Sequence, residues 1–174
     1  MRPLTAGGRV AYRVRQGLVA LAVRVDEAER AAAVMWLPGP ARAVFRSLPC
    51  ADQHHHLTVF RRLWQAGCRD QDVLAAALLH DMGKIDGCRR VWLWQRVVAV
   101  LLGRWPALLT RLAAPPATGW RYGFHLHACH PTLGADQAAA LGCSSRTVAL
   151  IAAHQAGDLD DPGLASLRAA DDNA

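Results

Sequence analysis

At 174 residues, 52% of them apolar, the chain has the length of one ordinary domain and enough material for a sizeable core, which excludes an intrinsically disordered protein. Its net charge of +6 comes mostly from Arg, which suits contact with phosphate or reflects a GC-rich genome. Ala and Leu dominate while Thr, Ile and Tyr are scarce, a composition that favours helices over sheet.

In chain order, Arg9 to Val25 reads as an amphipathic helix with a basic side. Met1 to Gln16 is too charged for a secretory leader. Asp26 caps a second helix running to about Leu37, where Leu37-Pro38-Gly39-Pro40 breaks the chain within one domain. Ala41 to Leu48 is a short helix with Val44, Phe45 and Leu48 inward. Asp52 is the expected N-cap of a helix carrying His54-His55-His56 and ending at Gly67.

The central stretch is Ala75-Ala76-Ala77-Leu78-Leu79-His80-Asp81-Met82-Gly83-Lys84. It reads as a buried helix stopped by Gly83, a residue suited to left-handed backbone angles. A helix C-terminus disfavours negative charge, so Asp81 calls for a cation, which Lys84 or a metal would supply. From Cys88 to Leu112 two apolar helices meet near Gly103 and Pro106, with Trp92, Trp94 and Trp105 as packing residues. The clean apolar run Val97 to Leu102 is too short to span a membrane. A second reading makes residues 88–112, with their Trp and Arg, a peripheral membrane or partner-binding face.

Ala113 to Gly119 is a loop, and Trp120 to His130 is aromatic and histidine-rich. There His125 and His127 read as half-exposed positions in an extended segment that line a pocket only secondarily. Pro131 to Leu141 is a helix stopped by Gly142. Ser144 or Ser145 caps the next, with Val148, Ile151 and Ala152 inward. Leu164 to Asp172 is the last helix. Five cysteines, none spaced C-x-x-C, read as reduced core fillers of a cytoplasmic protein. The expectation is an all-α bundle of about seven to nine helices.

His55, His80, Asp81, His130, His154 and Asp171 all fall near helix ends in this reading. Neutral imidazoles and carboxylates suit Mn, Fe, Zn, Ni or Co better than a thiolate site would. Metal centres between helices collect one or two ligands from each, and Asp81 is the natural bridge between two ions. His127 competes with His130 for its place.

The order His55, then Ala-Leu-Leu-His80-Asp81-Met-Gly-Lys, then Leu167-Arg168-Ala169-Ala170-Asp171 resembles the HD-domain superfamily of metal-dependent phosphohydrolases. His130-Pro131-Thr132-Leu133-Gly134 and Ala152-Ala153-His154-Gln155 look like the two further histidine motifs of binuclear, HD-GYP-like members. Gln155-Ala156 replaces the His-Glu of that subgroup and no Gly-Tyr-Pro follows, so cyclic-di-GMP hydrolysis is not implied. The resemblance covers about Asp52 to Asp171.

Residues 1–48, outside the resemblance, read as N-terminal helices packed on a core of 49–174 that is HD-like by that resemblance, one compact domain overall. The resemblance implies one or two divalent ions: a first site of His55, His80, Asp81 and Asp171, and a second of Asp81, His130 and His154. Asp81 and Lys84 would serve catalysis, with Lys84 neutralising charge on phosphoryl oxygens. The implied substrate is a nucleotide or other small phosphate ester. A metal-keeping, ligand-sensing module with little turnover is the alternative. A nucleic-acid phosphodiesterase ranks lower, for no aromatic-basic recognition motif accompanies the charge.

Overall fold

The computed structural model describes residues 25–155 and 157–174; the helix expected over Arg9 to Val25 and the reading of Met1 to Gln16 lie outside them, Val25 excepted. The described chain is all-α: nine α-helices, short 3-10 turns and one two-stranded ribbon. No helix among the described residues is long and apolar enough to cross a membrane. Two compact units are present, one formed by residues 25–83 and 130–174, the other containing 84–129.

In the first unit, α1 (Glu27–Ala33) starts at Asp26, whose carboxylate accepts the N–H groups of Ala28 and Glu29. Pro38 stands at the N-cap of α2 (Gly39–Ser47), so the Pro-Gly-Pro run that breaks one helix also begins the next. Helix α3 (Cys50–Gln65) begins after Pro49, placing Asp52 in its first turn and not at the N-cap. It ends in a Schellman turn: Gly67 adopts φ 88°, and the N–H groups of Gly67 and Cys68 reach the carbonyls of Trp64 and Leu63. The buried amide of Gln53 joins the first three helices, donating to the carbonyls of Arg46 and Leu48 and accepting from Arg30.

Helix α4 (Gln71–Leu79), capped by Asp70, is the centre of this unit. Every residue from Val73 to Leu79 is buried, so the helix is apolar all round and has neighbours on each side. It packs against α3, α8 (Ser145–Ala153) and α9 (Pro162–Asp172). Burying each of its Leu side chains contributes about 1.5–3 kcal/mol.

In the second unit, Ile85–Asp86 pairs antiparallel with Arg89–Arg90 across Gly87, at φ 58°, a ribbon that helical periodicity gave no sign of. Helices α5 (Leu93–Leu102) and α6 (Pro106–Ala113) follow, meeting at Gly103 to Trp105 as anticipated. Helix α7 (Tyr122–Ala140) runs from this unit into the first.

Several expectations are corrected here. His125 and His127 are helical, because α7 begins at Tyr122 and carries Pro131 in its interior. Proline removes one backbone hydrogen bond without ending a helix whose other turns are intact. Trp92, Trp94 and Trp105 are not core residues; each exposes roughly half its surface. None of the five cysteines is buried, and all are unpaired. On α8 the inward residues are Thr147, Leu150 and Ile151, and Ala152 faces out. Gly83 has no positive φ: it stops no helix by left-handed geometry, and its role is steric.

Candidate metal centre

Helix α4 delivers the site. His80 is its C-cap residue and Asp81 follows, so both side chains leave the core where the helical ladder ends. The backbone then turns at Met82 and Gly83, and Gly83 meets the backbone of α7 at His130 and Gly134. A Cβ at Gly83 would stand 2.2 Å from the His130 carbonyl oxygen and 2.5 Å from the Gly134 nitrogen. Gly134 in turn lies close to the backbone of Gly83 and His80. Two glycines therefore let α7 approach the end of α4, and this approach carries His130 to Asp81.

Asp81 divides its two oxygens. Oδ2 lies 3.9 Å from His55 Nε2 and 3.7 Å from His80 Nε2. Oδ1 lies 3.2 Å from His130 Nε2 and 3.7 Å from His154 Nε2. Asp171 Oδ1 closes the first side, 3.0 Å from His55 Nε2 and 3.5 Å from His80 Nε2. Each of the triads His55, His80, Asp81 and Asp81, His130, His154 gathers its ligand atoms within 4.8 Å. His80, His130 and His154 are buried, while the side chains of His55 and Asp171 are about a third exposed; solvent reaches the group from their side.

Backbone contacts set the imidazole tautomers. His80 Nδ1 donates to the Ala77 carbonyl at 3.0 Å, and His154 Nδ1 to the Ile151 carbonyl at 2.7 Å. A carbonyl only accepts, so in the neutral ring the Nε2 lone pair points into the cluster. His154 Nε2 sits 3.3 Å from His130 Nε2, beside the Asp81 carboxylate. So many electron-rich atoms in a mostly buried space require positive charge among them, as protons or as metal ions. Ligands about 2.1 Å from one ion stand about 3.0 Å apart at right angles and about 3.4 Å apart at tetrahedral angles. The spacings His55–Asp171, His130–Asp81 and His130–His154, 3.0–3.3 Å, fall in that range, and the others, 3.5–3.9 Å, are wider.

The same demand appears in Asp171. Burial alone would push its carboxyl up, yet hydrogen bonds from His55 and His80 and the electrostatic attraction of those rings prevail and hold it well below the usual carboxylate range.

Arg168, one turn before Asp171 on α9, fixes the remaining arm. Its guanidinium donates to the carbonyls of His154 at 3.0 Å and Ala153 at 2.7 Å, and to that of Gly157. It caps the C-terminal end of α8, where cations are favoured, and ties His154 to the helix that bears Asp171. Sequence reasoning quoted Arg168 only as part of a motif; no pattern in a single sequence marks an arginine that caps a neighbouring helix. His56, beside His55 on the same helix, has a buried ring 4.9 Å from that of His80 and 6.1 Å from Phe45, backing the cluster.

All six expected ligands meet in the unit of residues 25–83 and 130–174. Lys84, His125 and His127 belong to the other unit; His125 Nδ1 is 3.1 Å from the Ala113 carbonyl. His130 lies beside Asp81. In comparisons with protein-family models, curated proteins and solved structures, the chain matches none.

Proposed function

We propose that the chain is a metal-dependent phosphohydrolase of the HD-domain type, acting on a nucleotide or other small phosphate ester. The observation that carries the proposal is the division of Asp81, one oxygen toward His55 and His80 and the other toward His130 and His154. A carboxylate so placed suits the bridge of a two-ion centre. His55, His80, Asp81 and Asp171 would hold one ion, and Asp81, His130 and His154 the second. Divalent transition ions there would polarise a phosphoryl oxygen and make water a nucleophile near neutral pH.

The chain's own part is positional. The Ala77 and Ile151 carbonyls keep His80 and His154 in the ligating tautomer, as outer hydrogen bonds do around metal-bound histidines. Arg168 holds the His154 arm. The partly exposed His55 and Asp171 mark the side from which a phosphate group and water enter, while the buried histidines exclude bulk solvent. Lys84 keeps its proposed role of neutralising phosphoryl charge on the sequence resemblance alone.

The test is elemental analysis of the untagged protein and of His130→Ala, followed by a panel of phosphomonoesters, phosphodiesters and nucleotides. Two ions per chain falling to one in the variant, with phosphate released by the wild type, is the expected result. A metal-replete protein that hydrolyses nothing in the panel would overturn the enzyme reading. Tight nucleotide binding without product would replace it with the sensing module.

A further inference from the structure

Charge is unevenly divided along the chain. Residues 84–129 hold seven Lys and Arg and one acid, Asp86, a net of +6. The first 24 residues add five Arg and no acid, so the remaining sequence, which holds the histidine cluster, has a net charge of −5. Asp86 itself accepts the Tyr122 hydroxyl, so the single acid is engaged locally.

The basic segment also has an apolar exterior. On α5 only Gln95 and Ala99 are buried, on one side of the helix. The opposite side presents Leu93, Val100 and Leu101, each more than 40% exposed, in helical register with one another. Trp92, Trp94 and Trp120 gather at the start of this row. Trp94 and Trp120 lie 6.4 Å apart, both against the fully buried Phe124. Gln95 pins the arrangement: its amide accepts from the Trp92 N–H at 2.8 Å and donates to the Trp120 carbonyl at 2.6 Å. Gly123 makes room for it, since a Cβ there would fall 2.1 Å from the Gln95 amide. Arg90 stacks over Trp92 at 4.3 Å and Arg89 over Tyr122 at 4.6 Å. The tryptophans are thus held outward by a buried polar clamp, with cations beside them.

We propose that this face docks on the surface of an anionic lipid bilayer, with α5 lying in the interface. Tryptophan rings and Arg stems favour the headgroup region, and an aliphatic row lies between them and the hydrocarbon boundary. Anionic headgroups complement the net charge of +6, each Arg near the surface strengthening binding roughly fivefold. A nucleic acid would also complement the charge and stack on Trp, but it has no use for Leu93, Val100 and Leu101. At ten residues α5 lies along the bilayer and does not cross it.

The experiment is flotation of the full-length protein with vesicles of pure phosphatidylcholine or with about a third phosphatidylglycerol. The variants are Leu93→Glu/Leu101→Glu and Arg89→Glu/Arg90→Glu, both on exposed positions, with circular dichroism and thermal unfolding confirming that each folds. Wild type is expected to float with the anionic vesicles only, more weakly as salt rises, and each variant to lose at least about tenfold in partitioning. Brominated lipid should quench the wild-type tryptophan fluorescence. Absence of flotation at low salt, or flotation that survives both variants, would overturn the proposal. So would a wild type that fails to float but binds single-stranded DNA, or one that dimerises through this face. None of these readouts depends on the phosphohydrolase reading.

Discussion

Helices α4 and α5 are similar in sequence and opposite in circumstance. Both are short and rich in Leu, Val and Ala. In α4 every residue from Val73 to Leu79 is buried; in α5 only Gln95 and Ala99 are. α4 lies in the part of the chain with net charge −5 and ends in His80 and Asp81, whereas α5 lies in the part with +6 and begins among exposed tryptophans. Apolar composition therefore says that a surface avoids water, not what covers it. Around α4 the cover is α3, α8 and α9, which bring His55, His154 and Asp171, while His130 comes from the interior of α7; on α5 the outer face has no helix of the described residues shielding it.

That contrast can be broken by substitution. The largest effect is expected at Gly83, where an added methyl meets backbone atoms of His130 and Gly134 at 2.2 and 2.5 Å, a clash no rotamer relieves. Gly83→Ala should cost more than about 4 kcal/mol and abolish metal binding. Gly87→Ala, in open space at φ 58°, should cost only about 1–2 kcal/mol. Thermal unfolding of both separates steric from conformational need. Next, Leu78→Ala should destabilise by about 2–5 kcal/mol, while Leu101→Ala stays within about 0.5 kcal/mol in urea titrations. Equal losses would remove the distinction drawn between the helices.

Arg168→Ala sharpens the site itself. It should weaken the second ion by about 10–100-fold while leaving the first less affected, read by calorimetric metal titration, with Arg168→Lys restoring part of the loss. An equal loss at both sites would make Arg168 a general stabiliser. The smallest effect concerns pH. Arg146 reaches Asp70 at 2.6 Å and Asp161 at 2.7 Å. Its hydrogen bond holds the Asp161 carboxyl below the ordinary 3.8; burial pushes Asp70 up, but Arg146 and backbone N–H groups prevail and lower it too. The stabilisation is present above that value and is lost as the pH falls through the lower folded-state values. Acid unfolding of Arg146→Ala should lack that share of the pH dependence, modestly because the side chains of Arg146 and Asp70 are more than a third exposed.

Much of this was legible in order along the chain. Asp26 and Ser144 cap helices because their short side chains reach N–H groups two or three residues on, a local matter. Gly67 and Gly142 end helices for an equally local reason. The six histidines and aspartates were picked as ligands from residue type and motif order, and they meet at Asp81. Misreadings arose where local rules are ambiguous. Pro131 and the histidines before it suggested a loop followed by a new helix, yet α7 is continuous. Gly83 suggested a left-handed stop, yet it is a point of contact between two backbones.

The sequence by itself determined the helical class, the caps at Asp26 and Ser144 and which side chains have the chemistry to share a cation, because each depends on a few neighbouring residues. The tertiary structure alone decided that Asp81 faces two histidine pairs, that Arg168 secures the His154 arm, and that the tryptophans of residues 92–120 face outward. Those facts depend on approaches between residues far apart in the chain, such as Gly83 to Gly134 and Gln95 to Trp120, and distance in space is not written in spacing along the sequence.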